Sequence, residues 1–236
     1  MNEPIDFSEF YDQTAPRMLA RALMRCGQLQ NAEDAVQDAY AEALRRWQRV
    51  GGYESPEAWV YKIMKQRLSR AAKHWWWARR KPTTPELLEL AVPPAATAEE
   101  TAEAREVLRA LFLLPARQRQ VLVLQCLHAM TYKQIAAELG ISTGAVGASI
   151  AKARQNLRQL LGMTLDQKRD PDTPLVGAAP PVGLGAIPEA DRQDPLAAVL
   201  LATESWLTDG FATDRKTMER IKAAILRSAE GEEKLG

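Results

Sequence analysis

The chain has 236 residues, of which 26% are charged, with 31 Lys plus Arg set against 30 Asp plus Glu, so its length allows one large or two small domains. No stretch approaches the ~20 continuous apolar residues of a membrane span, and Met1 to Asp12 is acidic and amphipathic, unlike a signal peptide; a soluble, cytoplasmic protein is expected. Cys26 and Cys126 stand far apart, with no CxxC and no histidine cluster around them, which leaves zinc and redox-pair readings without support and makes both small buried hydrophobes.

Apolar spacing is helical along nearly the whole chain and no period-2 strand is found, so the fold class is all-α. A first helix, about Asp6 to Cys26, carries Phe7, Phe10, Tyr11, Met18 and Leu19. A second is expected to begin near Asn31, with Glu33 and Asp34 in its first turn, and to align Val36, Tyr40, Ala43, Leu44 and Trp47 on one face. Asp34, Gln37, Asp38 and Glu42 make the opposite, polar face. After Gly51-Gly52 a third helix starts at Ser55-Pro56-Glu57, a cap followed by proline at the first helical position, and runs through Val60, Ile63, Met64, Leu68 and Ala71 to about Ala78. Ala58 to Pro85 holds eight basic residues and no acid, and five of the six tryptophans lie between Trp47 and Trp77. Trp47 and Trp59 fall in register with the core.

Pro82, Pro85, Pro93 and Pro94 among Ala and Thr read as a stiff linker. Helices near Ala98 to Leu113 and Ala116 to Leu127 follow. Thr131-Tyr-Lys-Gln134 then fits a capping box opening a short helix to Leu139. Gly140 permits a turn, Ser142 caps a last helix with Val146, Ile150, Ala153, Leu157 and Leu160 aligned, and Ile135, Leu139, Ile141 and Val146 fill the wedge over the small Ala136. This is a helix-turn-helix pattern. Between Val107 and Leu165 seven bases face a single acid, Glu138, so the chain carries two basic blocks suited to a polyanion. Residues 163–193 are proline- and glycine-rich and lack aromatics, which reads as a second linker. Asp194-Pro195 then opens a helix with Leu196, Val199, Leu200, Thr203 and Leu207, and another near Asp214 carries Met218, Ile221 and Ile225. Two such helices hold too little core to fold alone and must bury their stripe against something.

Two motifs carry a family resemblance. Asn31-Ala-Glu-Asp-Ala-Val-Gln-Asp-Ala-Tyr40 followed by Pro56-Glu-Ala-Trp-Val-Tyr-Lys-Ile63 resembles the first conserved domain of extracytoplasmic-function (ECF) sigma factors of the sigma-70 family. Leu114-Pro-Ala-Arg-Gln-Arg-Gln-Val-Leu-Val-Leu124, then Thr131 to Ser142 and Gly144-Ala-Val146, resembles the second. The resemblance spans about Phe7 to Leu161. It implies a sigma region 2 domain over residues 1–81, a linker at 82–98, a sigma region 4 domain over 99–162, a second linker at 163–193 and a helical extension, 194–236, outside the family pattern.

The implied function is that of an alternative sigma factor, with core RNA polymerase and promoter DNA as partners and an anti-sigma factor as a further partner of the family. Asp34, Gln37, Asp38 and Glu42 correspond to the polymerase-docking face. Lys62, Lys65, Gln66, Arg67, Arg70 and Lys73 correspond to the row that follows -10 phosphates, with Trp75 and Trp76 placed to stack on unpaired bases. Arg49 and Tyr53 sit in the loop that captures a flipped base. In the helix-turn-helix, Ser142, Thr143, Gly144, Gly147, Ala148, Ser149 and Lys152 correspond to the -35 contact region, with Lys133 and Arg154 as phosphate contacts. The family usually has Thr at Ala145 and Lys or Arg at Gly147 and Ser149. The bidentate donors that read guanine are therefore missing here, and anchoring through phosphates and DNA shape is expected at -35. Gln66 and Arg70 stand where the family has Asn and Asp, so its -10 preference does not transfer.

No P-loop, dinucleotide turn or Ser/His/Asp set is present, and the only histidines are His74 and His128; no enzymatic activity, cofactor, metal or small-molecule substrate is expected, and His128 reads as a helix-end residue. The alternative reading is a sigma-like regulatory protein that binds polymerase or a partner with little -35 recognition, which takes its force from Gly147 and Ala148. The extension is expected to fold back on the sigma domains as an intramolecular regulator.

Overall fold

A computed structural model of the chain describes residues 6–75, 93–128, 130–162 and 194–233. Both expected linkers, and Trp76 with the cations that follow it, lie largely or wholly outside these residues. Every element among the described residues is a helix, in agreement with the all-α expectation.

The first group comprises α1 (Phe7–Cys26), α2 (Leu29–Arg45), the single turn α3 (Trp47–Val50) and α4 (Pro56–Trp75). Asp6 caps α1 by accepting from the Ser8 amide at 2.8 Å. Its apolar face closes on an aromatic cluster in which Phe7, Phe10 and Tyr11 surround Tyr40 of α2, while Phe7 and Phe10 also meet Trp47 at 4.9–5.2 Å between centroids. Arg17 of α1 grips Glu57 at the start of α4 through both carboxylate oxygens, at 2.7 and 2.8 Å.

Two expectations are corrected here. The second helix starts at Leu29, two residues before Asn31, so Glu33 lies beyond its first turn. Glu33 is buried and accepts from Arg220 at 2.7 Å, because a later helix covers it. Trp47 does not continue α2: the chain breaks at Arg46 and Trp47 begins α3, still packed on the core.

The second group is α5 (Ala98–Leu113), α6 (Ala116–Cys126), α7 (Tyr132–Leu139) and α8 (Thr143–Leu160). Thr97 with Glu100 and Thr131 with Gln134 each form a complete capping box. Gly140 adopts φ 65°, the left-handed turn a side chain would strain, and Ser142 accepts from the Ala145 amide at 3.1 Å. Val121, Leu124, Ile135, Ala136, Val146 and Ile150 form the buried wedge, with Leu139 and Ile141 at its edge, so the helix-turn-helix reading holds.

The extension folds as α9 (Pro195–Thr213) and α10 (Arg215–Glu233). It does bury its stripe against the rest of the chain. Helix α9 packs chiefly on α1 and also touches α5, α6 and α10, while α10 lies over α2. Leu196, Leu200, Leu207, Phe211, Ile221 and Ile225 therefore join one apolar core with residues of α1, α2, α5, α6 and α8.

Candidate nucleic-acid interface

On α4 the four-residue spacing of Lys62, Gln66 and Arg70 places them on one row, and all three are exposed. Val60, Met64 and Leu68 on the other side anchor the helix in the core, so the row is held rigidly with its heads in solvent. Arg67 is 38% exposed and 3.6 Å from Asp38 of α2. Lys73 and Trp75 lie in the last turns of α4; Trp76 is outside the described residues.

Lys65 has a different setting. Its ammonium donates to Glu138 of α7 at 2.5 Å, and Arg25 of α1 donates to the same carboxylate at 2.8 Å and to Ser69 Oγ at 2.9 Å. Burial raises the Glu138 pKa, but Arg25 and Lys65 outweigh it and hold the carboxyl below its ordinary value. The single acid of the second basic block thus ties the two helical groups together. Its isolation among bases is visible in the sequence; its partners, 73 and 113 residues away, are not.

The loop after α3 is wound by backbone bonds from Gly51 to Trp47 at 2.8 Å and from Tyr53 to Val50 at 3.0 Å. A Cβ at Gly51 would stand 3.0 Å from the Trp47 carbonyl oxygen and 3.1 Å from its ring, so this position accepts only glycine without a shift. Arg49, expected in the loop, lies in the last turn of α3 and is exposed, while Tyr53 in the loop is half-buried.

Across α2, Asp34 and Asp38 are exposed and Gln37 is half-buried. Gln30 donates to Asp34 at 3.0 Å. Glu42 bends toward Arg45 and Arg46, and the hydrogen bond from Arg45 lowers its pKa. Glu33, one residue from this face, is instead paired with Arg220 of α10.

In the helix-turn-helix, Lys133, Ser142, Thr143, Gly144, Ala148 and Lys152 are exposed, and Gly147 and Ser149 are half-buried. Gly147 looks toward Tyr132: a Cβ there would meet the ring at 3.4 Å. The exposed row Gly144, Ala148 and Lys152 is smooth, with one cation at its end. Arg154 is turned away from that row, donating to Asp194 at 2.5 Å and to Gln125 at 3.3 Å. The structure thus gathers most of the expected -35 residues on one exposed surface and places Arg154 at the root of the extension.

Beyond Glu138, sequence reading also missed Arg119. Its guanidinium donates to the carbonyls of Arg25 at 3.3 Å and Cys26 at 2.8 Å, completing the C-terminus of α1. Gly27, at φ 74°, makes room; a Cβ there would lie 3.0 Å from Arg119 Cζ. The His128 ring packs on Tyr61 with centroids 4.6 Å apart and a tilt of 40° between the planes. Burial, then Arg21, Arg25 and Lys65, push the His128 pKa well below its ordinary value, so it is neutral, as befits a structural histidine. Burial likewise raises the Cys26 thiol to about 11. No group of three His, Cys, Asp or Glu able to hold a metal ion occurs among the described residues, and none of their helices is long and apolar enough to cross a membrane.

Comparison with known proteins divides the chain along the same two groups. Residues 10–79 match the family Sigma-70 region 2, and residues 104–157 match Sigma-70, region 4. The ECF RNA polymerase sigma factor SigM of Mycobacterium tuberculosis is 32% identical over 148 residues, covering 61% of this chain and 70% of that one. The RNA polymerase sigma-E factor of Streptomyces coelicolor is 26% identical over 169 residues, covering 71% of this chain and 93% of that one. Among solved structures, the sigma factor RpoE in complex with the anti-sigma factor NepR from Bartonella quintana aligns with a TM-score of 0.45 and 22% identity, over 69% of this chain and 99% of that one.

Proposed function

The chain belongs to the ECF group of sigma-70 RNA polymerase sigma factors and is an alternative sigma factor directing transcription; from that premise we propose how its residues divide the work. Residues 1–81 act as the region 2 domain and residues 99–162 as the region 4 domain, with core RNA polymerase and promoter DNA as partners in the cytoplasm. The exposed acidic face of α2, Asp34 and Asp38 foremost, docks on polymerase. The row Lys62, Gln66 and Arg70 follows the -10 backbone together with Arg67, Lys73, Trp75 and Trp76, and Lys65 joins once its bond to Glu138 opens. Arg49 and Tyr53 flank the captured base. Thr143, Gly144, Ala148, Lys152 and Lys133 meet the -35 duplex. The chain supplies binding and placement, and no bond-making chemistry.

The observation that carries this reading is the pairing of a rigid cationic row on α4 with an exposed recognition-helix N-terminus on α8 in one chain. A second reading, a sigma-like protein with little sequence-specific -35 contact, is favoured by the bare row Gly144 and Ala148. In vitro transcription with purified core polymerase separates the two. Promoter-dependent initiation supports the first, and polymerase binding without initiation supports the second.

A further inference from the structure

We propose that α9 and α10 form a clamp that holds the region 4 domain against region 2, keeping the two DNA faces too close together to engage one promoter. The inference rests on the sigma-factor reading. The centres of the -10 and -35 elements lie about 25 base pairs apart, or about 85 Å of duplex at 3.4 Å per base pair. Here Lys65 of the -10 helix sits 2.5 Å from Glu138, on the first helix of the helix-turn-helix. Helices α4 and α8, of 20 and 18 residues, are only about 30 Å and 27 Å long at 1.5 Å per residue. In this arrangement no pair of points on the two faces approaches the required span. The individual faces stay exposed, so closure acts through geometry, with the additional loss of Lys65 and Arg154 to internal partners.

The extension reaches both domains. On the region 4 side, Asp194 at the N-cap of α9 accepts from Arg154 of α8 at 2.5 Å. On the region 2 side, Glu204 pairs with Arg21 of α1, both side chains 6–7% exposed. Arg220 pairs with Glu33 at 2.7 Å, Lys222 with Asp12 at 2.8 Å, and the Tyr11 hydroxyl donates to the Met218 carbonyl at 3.0 Å. Apolar side chains between these anchors belong to a core shared with both domains.

Most of the unpartnered buried side-chain atoms among the described residues lie where the domains meet directly, the others being Trp206 Nε1 of α9 and Arg105 Nε of α5. Tyr61 Oη, both ring nitrogens of His128, two nitrogens of Arg25 and one of Arg21 are buried there without a partner in the protein. Groups left in that state regain hydrogen bonds when an interface opens. The direct ties across it are Arg25 and Lys65 on Glu138 and Arg119 on the carbonyls of α1, and the extension adds an apolar seam that holds this arrangement closed.

The test uses the full chain, with Cys26 and Cys126 replaced by serine and dyes at Glu54→Cys and Gln155→Cys, both exposed positions. Asp194→Asn with Glu204→Gln should lower energy transfer between the dyes and raise promoter-dependent transcript at limiting core polymerase at least fivefold. Opening without a rise in transcript overturns the clamp, as does transfer that stays unchanged. A second variant works in the opposite direction, so a misfolded first one leaves the question decidable. Ser69→Cys with Glu138→Cys, in the undyed cysteine-free chain and joined by a reducible bismaleimide, should cut initiation at least tenfold until reductant restores it. Equal initiation before and after reduction overturns the clamp. Absence of transcript from every form, open or closed, would instead remove the sigma-factor reading beneath it.

Discussion

Gly27 illustrates how much can rest on one missing side chain. It ends α1 in the left-handed region, where a non-glycine residue costs about 1–2 kcal/mol, and it leaves space for the Arg119 guanidinium that completes the helix end. Gly27→Ala should therefore destabilise the protein by at least 1–2 kcal/mol, about 2–8 °C in Tm, measured by thermal unfolding. The exposed cations of α4 make a separate prediction. Each phosphate contact contributes about 0.9 to the logarithmic salt slope on duplex and about 0.7 on single strands, so Lys62→Ala with Arg70→Ala should lower the slope of promoter-complex formation by about 1.4–1.8. An unchanged slope would remove the row from the DNA interface.

Helix α8 carries a glycine in its interior that faces Tyr132. Gly147 lies inside it and costs about 1 kcal/mol of helix propensity relative to alanine, while a Cβ there meets Tyr132 only at ordinary contact distance, 3.4 Å. Gly147→Ala should raise Tm by about 2–4 °C, checked by calorimetry; a fall would mean that Tyr132 cannot accommodate the methyl group. The same helix offers Lys152 as its exposed cation. Single base-pair changes in -35 should cost less than the ~1–3 kcal/mol of a direct contact, and Lys152→Ala should weaken all sequences alike in a binding scan. Steep preference at any -35 position would show that Thr143, Ser149 or Lys152 reads bases. Helix α10 adds a lesson about α2: the polar residues beside Asp34 are not one solvated face, since Glu33 is buried beneath Arg220 while Asp34 and Asp38 stay open.

Closure of the whole molecule should depend on pH through His128. Its ring faces Arg21 and Arg25 of α1, Lys65 and Tyr61 of α4, with Glu138 of α7 and Glu204 of α9 bound to those same cations. Burial and the cations lower its pKa in the closed form, whereas in an open form it titrates near 6.5. The closed form is thus fully favoured above about pH 6.5 and loses ground as pH falls below it. Small-angle scattering between about pH 8 and pH 5.5 should show expansion toward acid, and His128→Gln should flatten that response.

Helix content, the capping box at Thr131, the Gly140 turn and the buried wedge of the helix-turn-helix were all settled by local sequence, because caps, turns and 3.6-residue periodicity act over one or two turns of chain. The two family motifs are likewise local strings. What faces what was decided only by tertiary structure. Glu138 and Lys65 are 73 residues apart in sequence, Arg119 and Cys26 are 93, and Arg21 and Glu204 are 183. No periodicity registers such a pairing, because an amphipathic stripe states that a face must be buried without naming its partner. The extension's need for a partner was legible in Leu196, Leu207 and Ile221; that the partner would be α1 and α2, and that α9 would bridge both domains, followed from the shape of the surface those helices already made.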